Sequence, residues 1–282
     1  LGLNVLVVDM DEQANLSLRY IGMKKNETGN WIPLDHPEKE EIKEEDPNFI
    51  GYSSVTDLFS TGIVYPYPTK HENLTLLPPH GGQIKKIAAI HSNEGVQSVL
   101  YNFFNLPDVQ EMGWDLVIID TPPSLGALTL SAIRAATHVL IPCIMETKCI
   151  EGLPAVIAKV NMENRKKNHN EKTVIAGILP TQFKKNQALH NEYFDYLKNH
   201  NTYSPLLIHT PMYDRSDIRN MDERIKDQVD VPPISPFDKS TFQAKNRREC
   251  EAWCLEILER VMGKEMIDLK LNRGQGVMSY GA

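Results

Sequence analysis

Three aspartates stand at the ends of apolar runs. Asp9 closes Asn4-Val5-Leu6-Val7-Val8, Asp11 follows two residues later, and Asp120 closes Leu116-Val117-Ile118-Ile119. Continuous β-branched runs of this length read as strands covered on both faces of a parallel sheet. In open parallel α/β sheets ligands bind outside the carboxyl ends of the strands. The pattern therefore delivers carboxylates to a rim where a ligand would sit. Strand-end acids also cap turns and following helices, and residue types alone leave both readings open.

The elements that would position Asp120 lie within residues 115 to 143. Pro122 and Pro123 break the strand, and Ser124 is placed to cap a helix with Leu125, Leu128, Ala132 and Ala136 on its apolar face. Val139 to Ile141 then re-enter the sheet. Upstream of the first strand, Leu1-Gly2-Leu3 reads as the last turn of a crossover helix with glycine at its stop.

Two motifs together carry a family resemblance. The Asp-Thr-Pro-Pro at 120 to 123, followed by a small-residue helix, and Asp9-Met10-Asp11-Glu12-Gln13-Ala14-Asn15 resemble the ParA/MinD family of deviant Walker A P-loop ATPases. The match is to its ParA/Soj-like partition branch. Glu12 and Ala14 stand where many members have Pro and Gly. The resemblance implies a doubly wound, mainly parallel α/β sheet flanked by helices, binding ATP with Mg²⁺. It implies that Asp11 orients the attacking water, that Asp120 holds Mg²⁺ through water, and that Asp9 is structural or supports the metal shell. The family's upstream strand and phosphate loop are not matched. No Gly-Lys-Ser or Gly-Lys-Thr occurs, so the fragment is expected to begin after that loop, and as it stands to be inactive.

Other segments take their roles from the same resemblance. The strand 173 to 179 ends in Pro180-Thr181, which would border the adenine, and a short strand at 206 to 209 stops at Thr210-Pro211, placing Pro211 beside the nucleotide. Arg215, Arg219, Lys245, Arg247 and Arg248 would contact DNA phosphates without reading sequence, giving salt-dependent affinity. A solvated helix face with paired charges is the plainer reading of those cations. The implied partners are non-specific DNA, a centromere-binding ParB-like protein and a second copy of the chain in an ATP-dependent homodimer. A cytoplasmic, nucleoid-associated location goes with them.

Size and composition bound these readings. The 282 residues, 41% hydrophobic and 24% charged, suit one large α/β domain over 1–262, with a polar insert at 22–50 that reads as a solvated loop or short helix and a polar tail at 263–282. A net charge of -7 confines any nucleic-acid contact to a local basic patch. Cys143, Cys149, Cys250 and Cys254 lack metal spacing and read as reduced thiols. No apolar run is long enough to span a membrane, and the tail lacks the basic amphipathic helix of a MinD-like positioner. A MinD-like ATPase and a catalytically inactive scaffold of the same fold are the alternatives. An iron-sulfur electron carrier of related fold would need differently placed cysteines.

Overall fold

In the computed structural model, which describes residues 1–90, 94–216, 218 and 243–277, strand β1 (Val5–Asp9) is flanked on both sides by parallel partners. The chain divides into two units, Leu3–Ala136 and Thr137–Ala282 with Leu1–Gly2, taken here in turn.

In the first unit, β1 leads to the short helix α1 (Asn15–Tyr20) and then to the hairpin of β2 (Met23–Lys25) and β3 (Trp31–Pro33). Helix α2 (Lys39–Glu45), a 3-10 turn at Val55–Phe59, β4 (Tyr67–Pro68) and β5 (Leu74–Leu77) follow. Then come α3 (Gly81–Ala88), α4 (Glu94–Phe104), α5 (Pro107–Gln110), β6 (Leu116–Asp120) and α6 (Ala127–Ala135). The sheet order is β4-β5-β1-β6, with β5, β1 and β6 parallel and β4 antiparallel. This is a mixed, mainly parallel sheet flanked by helices. Leu6, Val8, Leu76 and Leu77 are fully enclosed, and each such side chain stabilises the fold by about 1.5–3 kcal/mol. Arg134 straps α6 to α4: its Nη1 donates to Glu94 (2.6 Å) and Ser98 (2.7 Å), and its Nη2 to Gln97 (3.1 Å). A buried guanidinium is tolerated only with such partners.

Three expectations for residues 1–136 are corrected. The polar stretch 22–50, expected as a solvated loop or short helix, holds that short helix as α2 but also forms the β2–β3 hairpin, and it is anchored by buried Pro33, His36, Ile42 and Phe49. Its period was hidden because a three-residue strand shows little alternation. Ser124 does not cap α6; Gly126 occupies that position without a side-chain bond, and the Ser124 carbonyl accepts from the Thr129 hydroxyl at 2.5 Å. Leu1-Gly2-Leu3 is not helical.

In the second unit β7 (His138–Ile144) and β8 (Val174–Thr181) pair in parallel, and α7 (Thr147–Asn164) connects them. Helices α8 (Ala188–Asn199), α9 (Ala244–Met262) and α10 (Lys264–Val277) complete it. The expected polar tail is therefore helical through Val277. The expected strand at 206 to 209 is reduced to one bridge, Ile178 to Leu207. Side chains of α9 take over where a ladder would be. Glu256 accepts from the amides of His209 (2.9 Å) and Thr210 (3.2 Å), and Arg260 donates to the carbonyls of Ala176, Leu206 and Leu207. Gly177 permits this approach, since a Cβ there would lie 2.5 Å from Ile208 Cδ1. Pro180 and Thr181 are the last residues of β8 and not a turn beyond it.

Candidate functional site

The parallel register of β1 and β6 sets Asp9 opposite Asp120, and the Met10 amide donates to the Asp120 carbonyl at 2.9 Å. Both strands thus end at the same rim, beside the end of β5. Asp9 is wholly enclosed. Its Oδ2 accepts from the Ser17 amide (3.0 Å) and hydroxyl (2.7 Å), and its Oδ1 from the Asp11 amide (3.1 Å). Burial raises its carboxyl above the usual range, while the Ser17 bonds pull the other way. Of its two expected roles, this arrangement favours the structural one. A carboxylate with no exposed face presents nothing to a metal, and Asp9 instead ties the turn after β1 to α1.

Asp11 is half-buried at the head of that turn. Its Oδ1 accepts from Gln13 N–H at 3.0 Å and its carbonyl from Ala14 N–H at 3.0 Å. The turn closes with Ala14 at φ 52, the left-handed region that glycine prefers. The fold thus imposes the turn despite the alanine.

Asp120 is exposed at the end of β6. Desolvation at the strand end, then repulsion from Asp9 and Asp11, pushes its carboxyl up to about 6, against a stabilising bond from the Thr121 backbone. That repulsion follows from the register that sets Asp9 opposite Asp120, with Asp11 two residues further on. A divalent cation would relieve it. Among the described residues no group of three or more His, Cys, Asp or Glu is placed to hold a metal ion together, so at most two carboxylates are on offer here. One or two carboxylates suit Mg²⁺, which keeps several waters and takes its other ligands from phosphates. The donor set at this rim fits that ion.

In the second unit, the Pro180 carbonyl accepts from Met212 N–H at 2.8 Å, so buried Pro180, half-buried Thr181 and buried Pro211 belong to one stitched segment. The basic candidates separate. Lys245 and Arg248 are exposed and line a cleft of about 420 Å³ with Lys185, Thr210, Tyr213, Glu249 and Ala252. Arg215 is held by a two-pronged bond to Glu249 (2.8 Å) and lies over the Tyr213 ring. Arg247 is half-buried, and its Nη1 has no hydrogen-bond partner among the described residues. Arg219 lies outside the described residues. Reading the sequence missed Ser17, Lys185 and Glu249. Ser17 carries no local signal beyond a hydroxyl on a buried helix face, and the Arg215–Glu249 pair spans 34 residues.

A mainly parallel sheet whose strand-end acids share one rim, beside flanking helices, is an α/β arrangement consistent with the P-loop NTPase type. A family model described as an AAA domain matches residues 1–173, more than half of the chain, and the chain belongs to that family. Within it, the chain is placed with the ParA/Soj/MinD group. The chain is 26% identical over 204 residues to an uncharacterized protein of Methanocaldococcus jannaschii, covering 70% of this chain and 68% of that one. It is 26% identical over 185 residues to the sporulation initiation inhibitor Soj of Bacillus subtilis, covering 64% and 61%. It is also 43% identical over 70 residues to the chromosome partitioning protein ParA of Myxococcus xanthus, covering 25% and 24%. The chain thus spans less than two thirds of the length of these Soj and ParA proteins. The fold is similar to an ATP complex of a McdA variant from Cyanothece (TM-score 0.65, 17% identity, covering 93% and 86%). It is likewise similar to a putative plasmid partition protein of Borrelia burgdorferi bound to AMPPNP (TM-score 0.62, 18% identity, covering 92% and 87%). Among the described residues, no helix is long and apolar enough to cross a membrane.

Proposed function

We propose that the full-length protein is a ParA-like DNA-partition ATPase, with one ATPase domain over 1–262 that dimerises with ATP. In this reading an upstream phosphate loop would hold the triphosphate, Asp120 would hold Mg²⁺, and Asp11 would orient the attacking water. A place beside the base for Pro180, Thr181 and Pro211 rests on the family resemblance alone. When bound, Mg²⁺ would neutralise charge on the phosphates. Asp9 serves by holding the Asp11 turn against α1. The observation that carries the reading is the parallel register that ends β1 and β6 at one rim, with Asp120 opposite Asp9 and Asp11 two residues beyond it. Names of relatives that partition chromosomes, and an ATP-bound neighbour in fold, support it.

The exposed pair Lys245 and Arg248, with Lys185 beside them, forms the surface proposed to meet DNA phosphates, while Arg215 is largely neutralised by Glu249. A centromere-binding partner would stimulate turnover. The test is Asp11→Ala in the full-length protein: ATP hydrolysis should be lost while ATP-dependent dimerisation persists. Equal turnover in variant and parent would refute the role of Asp11.

A further inference from the structure

We propose that the β2–β3 hairpin and α3 together lock the backbone of the Asp11 turn, with Gly81 as the positioning residue; the catalytic part of this rests on the ATPase reading above. Gly81 is the first residue of α3 and is buried. A Cβ there would lie 3.1 Å from the Trp31 carbonyl oxygen, 3.3 Å from the Trp31 nitrogen and 3.3 Å from the Glu12 carbonyl oxygen. All three are backbone atoms, which cannot swing aside as a side chain can. Gly82, the next residue, differs: a Cβ there meets only the Asn30 and His80 side chains, at 3.4 Å or more. Close approach is therefore demanded at Gly81 alone, where hairpin, helix and Asp11 turn meet.

Lys85, one turn further along α3, ties the same three pieces. Its Nζ lies 3.3 Å from Asn30 Oδ1 in the hairpin turn and 3.9 Å from the Glu12 carboxylate. The Asp11 turn is stiff, since Gln13 N–H and Ala14 N–H both bond to Asp11. A shift at the Glu12 carbonyl is passed to Asp11 and not absorbed between them. The polar insert thus acts as a brace behind the water-orienting carboxylate.

The test compares Gly81→Ala with Gly82→Ala. Both replacements favour a helix by a similar amount, so helix propensity cannot separate them. In the full-length protein Gly81→Ala should lower kcat about tenfold with KM for ATP within about twofold, because small misplacements of an orienting group act on the chemical step. Gly82→Ala should leave both unchanged. In the present chain, Gly81→Ala should speed amide exchange at Gln13 and Ala14, and Gly82→Ala should not. Should Gly81→Ala fail to fold, Lys85→Ala is expected to move exchange and kcat in the same direction by about threefold. Unchanged exchange at Gln13 and Ala14 in Gly81→Ala, or in Lys85→Ala, overturns the proposal. If exchange rises but the parent protein hydrolyses no ATP, the brace stands and the ATPase reading fails. If Asp11→Ala is inactive while folded Gly81→Ala keeps full kcat, the ATPase reading stands and the positioning role of Gly81 is wrong.

Discussion

Asp9 and Asp120 face each other across the register of two parallel strands, yet their surroundings are opposite: Asp9 is enclosed and hydrogen-bonded, Asp120 exposed at the rim. The buried acid organises the turn and the exposed one is available to a ligand. The difference follows from the chain after each strand. Asp9 is followed by a turn into α1, which brings Ser17 back over it. Asp120 is followed by Pro122 and Pro123, which carry the chain away from it.

Asp9→Ala leaves the Ser17 amide and hydroxyl and the Asp11 amide without their acceptor inside the protein. Such unsatisfied groups cost roughly 1–3 kcal/mol each where they cannot reach water. The variant should lose at least about 2 kcal/mol in urea unfolding on that basis. Ser17→Ala should lose less, because the Ser17 amide bond remains. Parental stability in Asp9→Ala would mean the turn is held by other contacts.

The Asp120 carboxyl sits at about 6 in the folded chain against 3.8 unperturbed. A folded-state value above the unfolded one means that the native state binds the proton more tightly. Stability should therefore fall as pH rises from about 4 to about 6 and stay lowered above that. Asp120→Asn removes this term. It should have a higher Tm than the parent at about pH 7.5, with the gap closing below about pH 4. A gap independent of pH would contradict the desolvation and repulsion assigned to this carboxyl.

Ala14 holds φ 52. The left-handed conformation costs a non-glycine residue roughly 1–2 kcal/mol, against about 0.4–1 kcal/mol of extra unfolded-chain entropy for glycine. Ala14→Gly should thus stabilise the protein by about 0.5–1 kcal/mol in equilibrium denaturation. Destabilisation would show that the buried methyl group matters more than the backbone.

Removing Lys245 and Arg248 together should weaken binding to any DNA sequence alike. The slope of log affinity against log salt should flatten by about 0.9 for each lost phosphate contact. Arg247→Ala should change the slope little, because its head is turned inward. Filter binding across a salt series checks both; an effect of Arg247→Ala equal to that of the double variant would relocate the surface.

The strands that carry the acids were legible because a buried parallel strand writes itself as a continuous apolar run, as at Val5–Val8 and Leu116–Ile119. The helices with a clear apolar stripe, such as Glu94–Phe104 and Ala188–Asn199, were legible for the same reason. The hairpin at 23–33 was not, because strands of three residues carry little period and their stability comes from packing on α3. The segment 206 to 209 misled in the other direction. Its apolar residues are buried as in a strand, but Glu256 and Arg260 bond its backbone, and those partners lie some fifty residues away. The Asp11 and Asp120 pair was legible as two motifs, whereas the reason for their different environments, Ser17, was visible only in three dimensions.

The central claim is that Asp11 and Asp120 serve one ATP-hydrolysing site. Single-turnover hydrolysis by the full-length protein should be lost in Asp11→Ala and in Asp120→Ala, and the double variant should be no slower than the slower single one, as for groups that act as a unit. Independent losses that multiply in the double variant, or a single variant with parental rate, would contradict it.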